Sequence, residues 1–151
     1  METKSNTFQI RKLKKEDLDE VMNIWLSSNL DAHSFISADY WKSNAEMVKE
    51  AIAAAEVYVS EDKDSIILGF IGIVPDDYVA GLFVRRSHRS LGIGKSLIHY
   101  CQSIHQKLAL KVFTKNSRAI QFYKGKGFKI QEETFDPTTN EKEYSMLWKN
   151  I

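Results

Sequence analysis

Apolar and polar residues alternate from Thr7 to Leu13, the pattern of a first strand with one face turned inward. The period then changes. Leu18, Val21, Met22, Trp25 and Leu26 recur at helical spacing, which predicts an amphipathic helix over 15–28. Glu16 and Asp17 fall in its first turn, where the helix dipole favours anions. Trp41, Ala45, Val48 and Ile52 mark a second helix over 38–54, after a polar and aromatic stretch from Leu30 to Tyr40. Two apolar runs, Val57 to Ser60 and Ile66 to Val74, flank the charged turn Glu61 to Ser65 and read as a hairpin. Pro75, Asp76 and Asp77 form a turn, and Tyr78 to Val84 is a further strand. Ile93, Leu97, Cys101, Ile104 and Leu108 stripe a helix over 92–106, followed by a strand from Leu108 to Phe113. Ser117 to Lys126 is a short helix, capped by Asn116 or Ser117 and ended by Gly127. Strands Phe128 to Glu133 and Glu143 to Lys149 close the chain. The order β-α-α-β-β-β-α-β-α-β-β implies an α/β fold with a mixed sheet.

Length and composition narrow the class. The 151 residues suit one domain, 1–151, and no repeat or linker divides them. Apolar content of 43% and charged content of 27% are ordinary for a soluble protein. A net charge of +1 gives no global reason to expect nucleic acid or membrane as partner. The single cysteine, Cys101, excludes an internal disulfide, fits a reducing compartment, and lies on a core stripe. The four histidines lack metal-ligand spacing, so no metal is expected. No apolar run approaches membrane-spanning length, and Met1 to Asn6 has no hydrophobic signal region, so the expected address is cytoplasmic.

The segment from Val84 to Leu97 carries the first candidate chemistry. It leaves a strand, passes Arg85, Arg86 and Arg89, and meets Gly92 and Gly94 where a helix begins. The first helical turn leaves amide groups unpaired, and with the dipole they attract a phosphate. The three arginines would add charge-assisted bonds. A G-x-G alone also fits a tight turn with solvated arginines. The dinucleotide fingerprint lacks its third glycine here, and the P-loop spacing is absent.

A second motif, Asn116-Ser-Arg-Ala-Ile-Gln-Phe-Tyr-Lys-Gly-Lys-Gly-Phe128, decides between these readings. Together with Arg89-Ser-Leu-Gly-Ile-Gly94 it resembles the paired motifs of the GNAT family of acetyl-CoA-dependent N-acetyltransferases, in the same order. The resemblance runs from Phe8 to Trp148. The stretch His33 to Trp41 further resembles a bacterial subgroup that includes protein-lysine acetyltransferases. The implied fold is a mixed, mostly antiparallel sheet flanked by helices, with splayed central strands. The implied co-substrate is acetyl-CoA, and the implied partner a primary amine: protein lysine, protein N-terminus or small molecule. A monomer or homodimer is expected.

The resemblance also implies roles for residues. The backbone of Leu82, Phe83 and Val84 would pair with the pantetheine arm like an added strand. Arg89, Ser90, Leu91, Gly92, Ile93 and Gly94 would cradle the pyrophosphate, and Asn116 would bond the cofactor arm. Arg86, Lys95, Arg118 and Lys124 are candidates for the 3′-phosphate. Tyr123 would stand near the thioester sulfur and protonate the leaving thiolate as general acid. A free amide near Leu82 or Phe83 would serve the carbonyl oxygen. An attacking lysine, with a pKa of about 10.4, must first lose a proton. Lys111 stands where several family members carry a glutamate base, and a charged lysine cannot replace it. The candidates are Asp76, Asp77, Tyr78, His33 and a held water. His33, Phe35 and Tyr40 are candidates for the acceptor side, with Trp41 read as core. Two other readings follow: an acetyl-CoA-binding sensor of weak activity, motivated by Lys111, and a nucleic-acid binder using Arg85, Arg86, His88 and Arg89. The near-zero net charge opposes the last.

Overall fold

A computed structural model describes residues 8–151. The predicted start of the first strand, Thr7, lies outside the described residues; β1 runs Phe8–Lys12. It is followed by α1 (Leu18–Ala32), α2 (Ala38–Ser43), α3 (Ala45–Ala54), β2 (Glu56–Asp62), β3 (Ile67–Val74) and β4 (Tyr78–Val84). Then come α4 (Ile93–Ile104), β5 (Lys107–Phe113), α5 (Ser117–Gly125), β6 (Lys129–Asp136) and β7 (Glu141–Lys149). Among the described residues seven strands form one sheet in the order β1-β2-β3-β4-β5-β7-β6. Every pairing is antiparallel except that of β4 with β5. The mixed, mostly antiparallel α/β fold is therefore as the sequence implies.

Several boundaries differ, each for a local reason. The first helix begins later and ends later than 15–28. Lys15–Asp17 is a 3-10 turn, and the Asp17 carboxylate accepts from the Lys14 amide at 2.7 Å and pairs with Arg11 at 2.8 Å. The predicted helix 38–54 is two helices broken at Asn44, whose side chain donates to the Tyr40 carbonyl at 2.7 Å. Strand β2 runs through Glu61 and Asp62, which the sequence reading places in the turn. Glu61 is buried there because β1 supplies partners, Arg11 at 2.8 Å and Gln9 at 2.9 Å. Asp62 then folds the turn by accepting from the amides of Asp64 and Ile66. Strands β6 and β7 are longer than read, because the polar residues at the ends where they join carry no apolar alternation.

The sheet separates two cores. On one face α4 and α5 bury Leu97, Ile98, Cys101 and Ile120 against Leu108, Leu110, Val112 and Met146. On the other, α1–α3 bury Val21, Ile24, Trp25 and Trp41 against Val59 and Phe70. Cys101 is fully buried, and burial raises its thiol to about 12, so it is an inert core residue. Along β5 the alternation gives Leu108, Leu110 and Val112 to the α4–α5 face, while Phe113 packs toward α1–α3. Lys111 shares the face of Phe113. So does Glu143 of β7, the direct register partner of Phe113.

Candidate active site

Parallel strands β4 and β5 meet at a single pair, Tyr78 with Ala109, where the Ala109 amide donates to Asp77 at 2.9 Å. Beyond that point they splay. The register of β3 on β4 shifts from Gly72–Gly81 to Ile73–Val79, so Ala80 is an extra, bulged residue at the root of the split. The Arg85 amide donates to Leu68 of β3 at 2.7 Å. By the alternation of an antiparallel ladder, Phe83 and Gly81 also face β3, while the amides of Leu82 and Val84 face the split. A cleft of about 820 Å³ fills this split.

One end of the cleft is made of backbone. Ser90 and Gly92 adopt left-handed φ values of 68° and 86°, which turn the chain into α4. No side chain caps α4, and its first internal bond is Ser96 N–H to Gly92 at 3.0 Å. The amides of Ile93, Gly94 and Lys95 are therefore left for an anion. Arg89, Ser90, Gly92, Ile93 and Gly94 line the cleft, as do Lys95 and Arg118. Leu91 does not; its side chain is exposed to solvent. Arg86 and Lys124 also lie outside the lining. Arg85 departs from the sequence expectation entirely. It turns to the far side of the strand, pairs with Glu20 of α1 and donates to the Ile67 carbonyl. Arg86 and Arg89 both hold Asp31 of α1, at 3.1 and 2.8 Å, and Arg89 above all keeps that carboxyl below its ordinary range.

Tyr123 enters from α5. Its ring is only 8% exposed, wedged edge-on between Phe122 and Phe128, and it lines the cleft. Burial pushes its phenol well above the ordinary tyrosine value, so the proton stays on at neutral pH.

Asn116 caps α5 and does more. Its Oδ1 accepts from the Ala119 amide at 3.1 Å, so its Nδ2 is the donor to His33 Nε2 at 3.0 Å. His33 Nδ1 must then carry the proton and donate to Asn29 Oδ1 at 2.9 Å, and Asn29 Nδ2 donates to the Trp25 carbonyl at 2.9 Å. This relay spans the cleft from α5 to α1 and fixes the His33 tautomer. In this structure the side chain of Asn116 is engaged by protein, and the free lone pair of His33 accepts from it. Burial also holds His33 below the ordinary histidine range.

The opposite wall is aromatic. His33 stacks on Trp41 at 5.6 Å between centroids and meets Phe113 edge-on at 5.1 Å. These three line the cleft; Phe35 and Tyr40 do not. Phe35 packs behind His33 and Phe113, and Tyr40 packs behind Trp41. Trp41 is buried as the sequence implies, yet it also lines the cleft, and its indole N–H has no partner among the described residues. Tyr78 and Lys111 line the cleft too. Asp76 and Asp77 lie in the β3–β4 turn with left-handed φ values, and Asp77 is bonded to His105 at 2.8 Å. Neither lines the cleft. Sequence reasoning missed Glu143, a half-buried carboxylate that lines the cleft from β7. Only the pairing of β7 with β5 reveals it, and nothing in the sequence specifies that register.

Comparison with known proteins agrees with this geometry. The profile of the acetyltransferase (GNAT) domain family matches residues 53–130. The peptidyl-lysine N-acetyltransferase YiaC of Escherichia coli is 35% identical over 140 residues, covering 92% of this chain and 95% of the relative. This chain belongs to the GNAT family of N-acetyltransferases. The peptidyl-lysine N-acetyltransferase YjaB of Escherichia coli is 28% identical over 121 residues, 80% of this chain and 82% of that one. The solution structure of apo YjaB superposes with a TM-score of 0.83 at 24% identity, covering 95% of this chain and 99% of that one. A crystal structure of an N-acetyltransferase from Rhodopseudomonas palustris gives 0.81 at 14% identity, with 99% of both chains covered. The matched span in this GNAT domain holds the splayed strand, the α4 turn and Tyr123. Among the described residues no helix is long and apolar enough to cross a membrane, and no group of His, Cys, Asp or Glu is arranged to hold a metal ion.

Proposed function

We propose that this GNAT protein acts as one domain, 1–151, in the cytoplasm, transferring an acetyl group from acetyl-CoA directly to a lysine Nζ of a protein. The observation that carries the reading is one cleft joining three features: an uncapped helix N-terminus, strand amides facing an open split, and a buried protonated tyrosine. The names of the relatives support lysine as acceptor.

Acetyl-CoA, when bound, supplies the acetyl group as an activated thioester. The α4 amides of Ile93 to Lys95, with Arg89, hold the pyrophosphate. The amides of Leu82 and Val84 pair with the pantetheine arm, and Leu82 is the better placed of Leu82 and Phe83 to serve the carbonyl oxygen, because Phe83 faces β3. Tyr123 donates its proton to the leaving sulfur. The aromatic wall of His33, Trp41 and Phe113 takes the aliphatic stem of the acceptor. Direct attack needs no covalent enzyme intermediate, consistent with a buried, inert Cys101.

Thiol release from acetyl-CoA with lysine peptides tests this. Turnover with a lysine Nζ is expected, and Tyr123→Phe slows it about 100-fold without changing acetyl-CoA affinity. Equal rates in the two proteins would remove Tyr123 as the acid. Tight acetyl-CoA binding with no transfer to any amine would favour the sensor reading that Lys111 motivates.

A further inference from the structure

Among the described residues two carboxylates line the cleft, Asp31 and Glu143, and they differ in what they are free to do. Asp31 sits at the phosphate end and is spent on Arg86 and Arg89. Glu143 lies at the other end, and among the described residues its carboxylate makes no hydrogen bond and no ion pair. Its register partner is Phe113, so it projects on the α1–α3 face of the sheet, with Lys111 and the aromatic wall. Tyr123 approaches from α5 on the opposite face. The open split between β4 and β5 lies between the two.

Resting on the acetyltransferase reading above, we infer that Glu143 is the proton acceptor for the incoming ammonium group, a role filled in this chain from β7. An amine attacks the thioester carbon over one face of the acetyl plane. Tyr123 and α5 occupy one side of the split, so the amine enters from the α1–α3 face, where Glu143 is the one carboxylate among the described lining residues not held by a cation. It also answers the oddity of Lys111. The glutamate missing from β5 is replaced by a carboxylate on the adjacent strand, one register step away from Lys111 on the same face. His33 cannot take the role while Asn116 donates to its Nε2.

The protons balance. The acceptor ammonium gives one proton to the Glu143 carboxylate, directly or through one water, and Glu143 returns it to solvent. The neutral nitrogen forms the bond to the acetyl carbon as the C–S bond breaks. The sulfur takes the Tyr123 proton, and the second proton shed by the nitrogen restores Tyr123.

Charged and titratable groups on four elements face Glu143: Lys111 on β5, Asp136 on β6, Tyr40 on α2 and Tyr78 on β4. Burial and then Asp136 raise its carboxyl above the ordinary glutamate value, and Lys111 opposes them. A base that titrates higher is a stronger one near neutral pH.

The test is the pH dependence of kcat/KM for an N-terminally blocked lysine peptide. The wild type is expected to rise through the Glu143 titration and then level off. Glu143→Gln falls about 100-fold at neutral pH, keeps its acetyl-CoA affinity, and climbs steadily toward the lysine pKa of about 10.4, closing the gap. Lys111→Gln moves the acid limb of the otherwise wild-type enzyme to higher pH; this shift decides the matter if Glu143→Gln does not fold. A Glu143→Gln profile of wild-type shape, at any height, or an unmoved acid limb in Lys111→Gln, overturns the role of Glu143 and leaves the acetyltransferase reading standing. Absence of wild-type turnover on every lysine peptide overturns both.

Discussion

The two ends of the cleft are built from different materials. The α4 end, proposed above to hold the phosphates, is backbone: left-handed Ser90 and Gly92 and the uncapped amides of α4. The opposite end, proposed to take the acceptor, is side chains, gathered from the end of α1, from α2, β5 and β7. Backbone chemistry requires special residues at fixed local spacing, so it leaves a motif. Side-chain chemistry requires only that distant residues arrive together, so it leaves none. In the function proposed above, the same division separates a shared co-substrate from a variable acceptor.

The sharpest way to break the comparison is Gly92→Val. A β-branched residue resists φ near 86°, so the turn must move, at a cost of about 1–2 kcal/mol in stability. Loss of two or more charge-assisted contacts then weakens acetyl-CoA by about 100-fold, read by calorimetry. A variant with wild-type affinity would show that the cradle is only a turn. Tyr123→Phe comes next, its effect confined to kcat.

Asn116→Ala joins the two ends. Removing the α5 cap costs about 1 kcal/mol in a denaturant melt and releases His33 from its fixed tautomer. Asn116→Ser keeps a capping hydroxyl and should recover the stability while leaving the relay broken.

Two histidines give opposite pH signatures. Burial lowers His105, but its bonds to Asp77 at 2.8 Å and Glu56 at 3.0 Å outweigh that and raise it. Its folded value lies above the unfolded one, so its contribution is full below about pH 6.5 and is lost as pH rises through the raised value. His33 is lowered by burial, so its contribution is present above about pH 6.5 and is lost as pH falls below it. Urea melts should therefore show His105→Gln destabilising most on the acid side, and His33→Phe flattening the acid-side fall. Identical pH profiles for wild type and His105→Gln would contradict the pairing.

Asp31→Asn has the smallest expected effect. It frees Arg86 and Arg89 and removes a negative charge beside the phosphates, so acetyl-CoA should bind a few-fold more tightly at low salt, with the gain fading as salt rises.

Much of the fold was legible because core elements carry clear periods: α4 and β3–β5 lie close to their predicted spans. The break at Asn44 was hidden because the apolar stripe runs through both α2 and α3. Strands β6 and β7 were shortened because their polar ends lack alternation. Of the cleft-lining residues, Gly92, Gly94 and Tyr123 stand in local motifs, and Leu82 was reached through the family resemblance those motifs carry. Arg85 was not, because its partner Glu20 is 65 residues away. Glu143 was not either, because a strand register brings it to the cleft. His33 was found for its chemistry, but its engagement by Asn116 depends on a contact 83 residues distant.

The most direct test of the whole account is mass spectrometry of an N-terminally blocked lysine peptide after incubation with acetyl-CoA and the wild-type protein. Acetylation at the lysine Nζ is expected, strongly reduced by Tyr123→Phe. Firm acetyl-CoA binding with no acetylated lysine on any peptide or protein tried would contradict it.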